Sequence, residues 1–316
     1  MTHWQRNEKF AFGTIDRRSL ILGGLGFLAA AAMPRPVAAL GRLDVGDGEL
    51  LTVSDGNLNL PMNFLYPDVP KAELEAFLVA NGLPTDALKP DCNVTVLKRG
   101  DRVVLFDAGS GSNFMASAGR LLENLAEAEI DPASVTDVVF THAHPDHLWG
   151  VTDDFDELVF AEATYHIGQA EWDFWSSPEA LASMPPERQS FVVGAQSRFK
   201  FIEDRINFIK PGQEVLAGVE AIDTAGHTPG HLSFFVHGSG DPTLIVGDAL
   251  SNTAISFAHP DWRTGSDQDQ DLGVKARLTL LDRLTADKAT LIGYHFNHAG
   301  IGRVERKDSA YAFIPA

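Results

Sequence analysis

The sequence predicts an α/β protein, and three observations predict it: short apolar, β-branched runs of strand length, amphipathic helical stretches between them, and clusters of His and Asp where the runs end. Asn93 to Leu97 and Arg102 to Phe106 are apolar-rich runs joined by Lys98-Arg99-Gly100-Asp101, a hairpin whose second strand ends at Asp107. From Arg120 to Ile130 the residues Leu121, Leu122, Leu125 and Ile130 recur at helical intervals, and Asp131-Pro132 breaks that helix before a strand over Asp137 to Thr141. A second strand–helix–strand unit closes the chain. Val219 to Asp223 alternates like a half-buried strand, Thr243 to Val246 is a short apolar run, Asp271 to Asp287 is helical with Val274, Leu278, Leu281 and Leu284 on one side, and Thr290 to Tyr294 is the last strand. Residues 168 to 205 differ, with Trp172, Phe174, Trp175, Pro178, Pro185-Pro186, Phe191 and Phe199 reading as a helical, aromatic-rich insertion.

Thr141-His142-Ala143-His144-Pro145-Asp146-His147 places four potential metal ligands in six residues directly after a strand. In extended chain alternate side chains point the same way, so His142 and His144 can share one ion. Pro145 stops the strand and starts a turn that aims Asp146 and His147 at a neighbouring position. One short loop can therefore serve two metals. The remaining ligands stand at other strand ends: His227 and His231 in the tight loop Ala225-Gly226-His227-Thr228-Pro229-Gly230-His231, Asp248 after Gly247, and His295 with His298 three residues later. Mixed nitrogen and oxygen donors suit zinc, and manganese, cobalt or iron fit the same set. Two such divalent ions can share a hydroxide whose pKa is brought towards neutrality, giving a nucleophile without a side-chain nucleophile.

The series His142-x-His144-x-Asp146-His147, His227, Asp248 and His295 resembles the metallo-β-lactamase superfamily of binuclear metallohydrolases over residues 50 to 316. Within it the chain is similar to the methyl parathion hydrolase group through Ser54-Asp55-Gly56, Phe106-Asp107-Ala108-Gly109, Asp173-Phe174-Trp175, Gly226 to His231 and Gly300-Ile301-Gly302. The resemblance implies a single αββα sandwich of two mixed sheets flanked by helices over residues 40 to 316, with His142, His144 and His227 on one metal, Asp146, His147 and His295 on the other, and Asp248 bridging. It gives Asp146 a further role as proton acceptor, and it implies a homodimer. The implied substrate is a small neutral ester: an aryl ester, a lactone or an organophosphate triester. Two rival activities of the superfamily stay open, a β-lactamase and a mononuclear iron dioxygenase acting on thiols or persulfides. Asp55 and Asp107, each at a strand end beside a glycine, are either the groups that fix the ring orientations of the His ligands or turn formers. His231 and His298 take an orienting or structural role, because seven ligands already complete two sites. Phe114, Trp172 and Trp175 are the expected pocket lining for a flat apolar leaving group, the alternative for the insertion being that its aromatics only pack it onto the body.

Arg17-Arg18, the apolar stretch Leu20 to Met33 and the small residues Val37-Ala38-Ala39 resemble a twin-arginine export signal over residues 1 to 39. The 14-residue apolar stretch falls short of the roughly 20 residues of a membrane span, so no stable anchor is expected and the location is periplasmic or secreted. Without the leader, 20 Lys and Arg stand against 41 Asp and Glu. That balance excludes nucleic acid as a partner, since counterion displacement needs clustered basic residues. Cys92 is the only cysteine, which rules out an intramolecular disulfide, and it reads as an inert structural thiol far upstream of the metal motifs.

Overall fold

The computed structural model describes residues 40–316, so the leader lies outside the described residues. Nine strands come first: β1 (Gly41–Asp44), β2 (Glu49–Asn57), β3 (Leu60–Pro61), β4 (Ala87–Leu88), β5 (Asp91–Arg99), β6 (Arg102–Phe106), β7 (Asp137–Val139), β8 (Thr164–Gly168) and β9 (Ile206–Ile209). Seven follow: β10 (Glu214–Leu216), β11 (Val219–Asp223), β12 (Leu232–Val236), β13 (Thr243–Ile245), β14 (Thr290–Ile292), β15 (Ile301–Lys307) and β16 (Ala310–Pro315). They form two seven-stranded sheets, β1-β2-β5-β6-β7-β8-β9 and β10 through β16 in sequence order, while β3 and β4 pair apart. Both sheets are mixed: β6 to β9 run parallel in the first and β13 with β14 in the second, the other neighbours being antiparallel.

Period-two alternation builds the layers. In β6, Val104 and Phe106 face the second sheet and Leu105 faces outward; in β12, Phe234 points to the first sheet and Phe235 away from it. One apolar layer, in which the Phe106 and Phe234 rings lie 5.6 Å apart, therefore sits between the sheets. A second layer joins the outer face of the first sheet to the helices Leu121–Glu127 and Gln189–Ile202, and a third joins the second sheet to the helix Gln270–Asp287. This is the αββα sandwich.

The expected elements appear with shortened strands. β7 stops after Val139: the Phe140 N–H makes the last bond to β8, on the His166 carbonyl, and the Thr141 N–H turns away to the Asp107 carboxylate. The helix Gln270–Asp287 buries Gly273, Arg277, Leu280, Leu281 and Leu284, leaving Val274 and Leu278 only half-buried. The stripe is rotated from the expected one because the Arg277 guanidinium is drawn inward to Asp267 at 3.0 Å. The insertion is helical as expected, over Gln169–Ser176, Ala180–Ser183 and Gln189–Ile202. Among the described residues no helix is long and apolar enough to cross a membrane.

Candidate metal centre

The loops that carry the His and Asp residues leave β6, β7, β11, β13 and β14 at their C-terminal ends and meet at one rim of the sandwich. After β7 the chain stays extended through His144 (φ −66, ψ 159), and Pro145 then opens a one-turn helix, Pro145–Leu148. The change of direction separates two ligand sets. His144 Nδ1 lies 2.9 Å from His142 Nε2 and 2.9 Å from His227 Nε2. A ring nitrogen carries either one N–H or one lone pair in its plane, so His144 Nδ1 cannot serve both contacts with good geometry, whereas one cation can take a lone pair from each of the three rings.

Asp146 Oδ2 lies 3.4 Å from His147 Nε2 and 3.3 Å from His295 Nε2. Asp248 connects the sets: its Oδ1 is 3.2 Å from His147 Nε2, and its Oδ2 is 3.2 Å from His227 Nε2 and 3.1 Å from His295 Nε2. All seven residues are nearly or fully buried, yet Asp146 Oδ2, Asp248 Oδ1 and His147 Nε2 make no hydrogen bond. Buried polar atoms are normally satisfied. Orphans converging from several loops, with imidazole and carboxylate donors, fit divalent cations.

The charges fit as well. Burial, reinforced by neighbouring imidazoles, holds His142 and His144 well below the usual histidine range and so keeps their lone pairs free. Burial also opposes charge on His147 and His295, but Asp248 and Asp146 outweigh it and raise both. Conversely, burial works against ionised Asp248, and His295, His147 and His227 overcome it, lowering its carboxyl well below the usual range.

Three of the ligand rings, those of His147, His227 and His295, are oriented from behind. Asp107 accepts from His147 Nδ1 at 2.8 Å and from the Thr141 amide and hydroxyl at 2.8 Å each, from a left-handed backbone (φ +70) that strains a non-glycine residue. Asp267 Oδ1 lies 3.1 Å from His227 Nδ1, and its other oxygen holds Arg277. His295 Nδ1 faces the Asp91 carbonyl at 2.9 Å. His231 accepts the Asp248 amide on Nε2 and contacts the Thr224 hydroxyl through Nδ1; burial, with repulsion from His227, pushes its pKa down to about 3, leaving it neutral. His298 contacts the Asn93 side chain at 2.7 Å and takes no position among the seven.

Several expected placements change. Asp55 touches no imidazole: its oxygens accept the Ser110 and Leu121 amides at 2.8 and 2.7 Å, so it fastens the loop after β6 to the helix Leu121–Glu127. Trp172 and Trp175 do not line the cavity over the metal residues. Trp172 stacks on Phe199 with centroids 4.1 Å apart, and Trp175 is fully buried behind His144, donating to Glu171 at 2.6 Å. The aromatics pack the insertion onto the body, and of the three expected wall residues only Phe114 faces the cavity. Cys92, distant in sequence, lies beside the second set, its sulfur within 4.8 Å of ligand atoms of Asp146 and His295. Burial pushes its thiol up to about 12, so it stays protonated there.

The cavity measures about 310 Å³ and opens on His144, Asp146, His227, Asp248 and His295. Sequence reasoning missed most of its wall, which is Leu58, Leu60, Phe64 and Leu65, with Leu88 and Pro90, and Phe191 and Arg188 opposite. The Arg188 guanidinium lies 4.8 Å over the Phe64 ring and donates to the Gly265 carbonyl, pinning the wall segment to the loop before the helix Gln270–Asp287. Glu171 and Asp267 were missed too. Nothing in a single sequence separates a buried carboxylate from the many exposed ones.

A family model described as the metallo-beta-lactamase superfamily matches residues 89–295. Metallo-beta-lactamase domain-containing protein 1 of Xenopus laevis is 26% identical over 165 residues, 52% of this chain and 56% of that protein. The probable metallo-hydrolase YqjP of Bacillus subtilis is 26% identical over 187 residues, 55% of this chain and 57% of that protein. The matches thus span little more than half the length of these curated relatives. Among solved structures, AidC, a dizinc quorum-quenching lactonase in complex with the product N-hexnoyl-L-homoserine, superposes with a TM-score of 0.84 at 25% identity, covering 89% of this chain and 99% of that one. The hydrolase AbOPH of the beta lactamase superfamily gives 0.83 at 26% identity, covering 89% and 99%. With two mixed sheets between helices and its family model spanning the whole run of ligand loops, the chain belongs to the metallo-beta-lactamase superfamily, a superfamily of metal-dependent hydrolases.

Proposed function

We propose that this chain is a binuclear metallohydrolase of small neutral esters, with a lactone as the leading substrate and aryl esters or organophosphate triesters as further members of the class. The observation that carries the reading is the apolar cavity opening directly on five of the seven metal residues. A slot walled by Leu58, Phe64, Phe114 and Phe191 gains from desolvating an uncharged acyl or aryl group, whereas it offers a carboxylate little. The strongly acidic chain, with a net formal charge of −18, also disfavours anionic substrates. The likeness to a dizinc lactonase supports both the metal count and the bond type.

His142, His144 and His227 would hold one ion, Asp146, His147 and His295 the other, with Asp248 between them. When bound, divalent ions supply an activated water and polarise the ester carbonyl or phosphoryl oxygen. The chain's own residues do the remaining tasks. The apolar wall positions the ester and excludes bulk water, and Asp107, Asp267 and the Asp91 carbonyl keep the imidazoles in register. Asp146, which lines the cavity, is the residue assigned to take a proton in this reading.

The test is a panel of an aryl ester, dihydrocoumarin, an acyl-homoserine lactone, methyl paraoxon and a cephalosporin, each assayed with metal restored and again after chelation. At least one neutral ester should exceed the cephalosporin in kcat/KM by about tenfold or more, a margin of about 1.4 kcal/mol in transition-state stabilisation, and chelation should abolish that turnover. Preference for the cephalosporin, or oxygen consumption on a persulfide by a chain holding one iron, would replace this reading with one of its rivals.

The reading includes export by the twin-arginine route, resting on Arg17-Arg18 and the apolar stretch after them. Mature chain beginning after Ala39 should appear in the periplasmic fraction, and a variant carrying Arg17→Lys and Arg18→Lys should remain inside as precursor. Equal distribution of both forms would remove export from the proposal.

A further inference from the structure

Glu171 carries a fully buried carboxylate with four donors and no Lys or Arg paired to it among the described residues. The donors come from three separate parts of the chain. Oε1 accepts the amide of Ala143, the residue between His142 and His144, at 2.8 Å, and also the Trp175 indole N–H at 2.6 Å. Oε2 accepts the Thr228 hydroxyl at 2.7 Å and the Gly230 amide at 3.0 Å, both in the loop that begins with His227. Glu171 itself stands in the first turn of the helix Gln169–Ser176, which opens the insertion.

We infer that Glu171 is a positioning residue for the first metal: one carboxylate locks the His142–His144 loop to the His227 loop, so the three nitrogens of that set are held at a common point before any ion arrives. Burying an unpaired carboxylate is costly, and burial raises the Glu171 pKa. A site for apolar packing alone would not retain such a group. The return is geometric, because His142, His144 and His227 lie on loops from different sheets, tied otherwise by the Leu232 N–H on the Thr141 carbonyl at 2.9 Å and by the ligand rings themselves. The same carboxylate also anchors the insertion, whose Phe191 and Arg188 form part of the cavity wall. This inference rests on the metal-binding part of the proposed function and is independent of the substrate.

Glu171→Gln is the decisive variant. Its amide keeps the volume but puts an N–H₂ opposite two donors; the Thr228 hydroxyl can reverse, whereas the amides of Gly230 and Ala143 and the Trp175 indole cannot. Zinc titrated into chelator-treated protein should bind the first site about 10 to 100-fold more weakly in this variant, the range for losing a group that orients ligands. The rise in Tm between chelated and zinc-loaded protein should shrink accordingly. A purely structural role would lower the Tm of both forms equally and leave zinc affinity unchanged, and that result overturns the inference. If Glu171→Gln does not fold, Thr228→Val removes a single donor and decides the matter by the same titration: weaker zinc binding supports the clamp, unchanged binding refutes it. Wild-type protein that binds no zinc would defeat the metal reading itself, an outcome distinct from either.

Discussion

Asp248→Ala is expected to lower kcat/KM for every ester tested by at least about a thousandfold, equivalent to about 4 kcal/mol of transition-state stabilisation, and to reduce bound metal by one ion or more per chain. Asp248 carries the carboxylate that reaches both ligand sets, lying 3.1 to 3.2 Å from nitrogens of His147, His227 and His295. Its placement is built into the backbone. Gly247 adopts φ +55, and a side chain there would come within 2.7 Å of His231 Nε2, the atom that accepts the Asp248 amide. Alanine at 248 would leave three buried imidazoles facing one another without the carboxylate that offsets them, so cations lose a ligand and the empty site gains repulsion. Metal analysis of the purified variant alongside steady-state kinetics separates this from a simple catalytic role. Retention of full metal content with full activity would refute the bridging position.

How far the sequence led can be judged from these residues. His142, His144, Asp146 and His147 announce themselves because extended chain followed by Pro145 is a local geometry, and the strands that end in Asp248 and His295 are short apolar runs with a clear stop. The fold class was legible for the same reason: the apolar runs over Arg102 to Phe106 and Thr243 to Val246 and the helical spacing in Gln270–Asp287 are local signals. What remained hidden depends on distant segments meeting. The wall residues Leu58 to Leu65 occupy a stretch with a two-residue strand and a four-residue helix, too short for any period to register. Glu171 and Asp267 act only because a loop some tens of residues away arrives opposite them, at sequence separations of 57 and 40 for their contacts with Thr228 and His227. Trp172 and Trp175 show the converse: aromatic character marked the insertion correctly, but hydrophobic residues serve packing and binding alike, and only the stacking on Phe199 and the bond to Glu171 settle their side of it.

Removal of metal should destabilise the protein in a way that grows with pH. In the metal-free chain the Asp248, Asp146 and Asp107 carboxylates overcome burial to raise His147, and Asp248 and Asp146 do the same for His295, so folding favours the protonated form of both imidazoles. A group whose folded pKa is raised contributes stability that is complete below its unfolded value, here 6.5, and is lost as pH climbs through the folded value. The chelated protein therefore loses this ion-pair contribution on the alkaline side. Metal binding has the opposite dependence, because ligation needs the lone pairs those protons occupy, so affinity increases with pH. Asp146 and Asp248, whose carboxyls are lowered from 3.8, change charge only in acid and leave the neutral window unaffected. Both effects widen the gap between loaded and chelated protein as pH rises from about 6 to about 8.5. A ligand at a hundredfold excess over its Kd stabilises by about 2.7 kcal/mol, and each further tenfold gain in affinity adds about 1.4 kcal/mol. Differential scanning calorimetry of zinc-loaded and chelated samples across that range should show the Tm difference increasing steadily. A difference that stays level or narrows would mean that His147 and His295 are not displaced protonated ligands, and the second set would have to be reassigned.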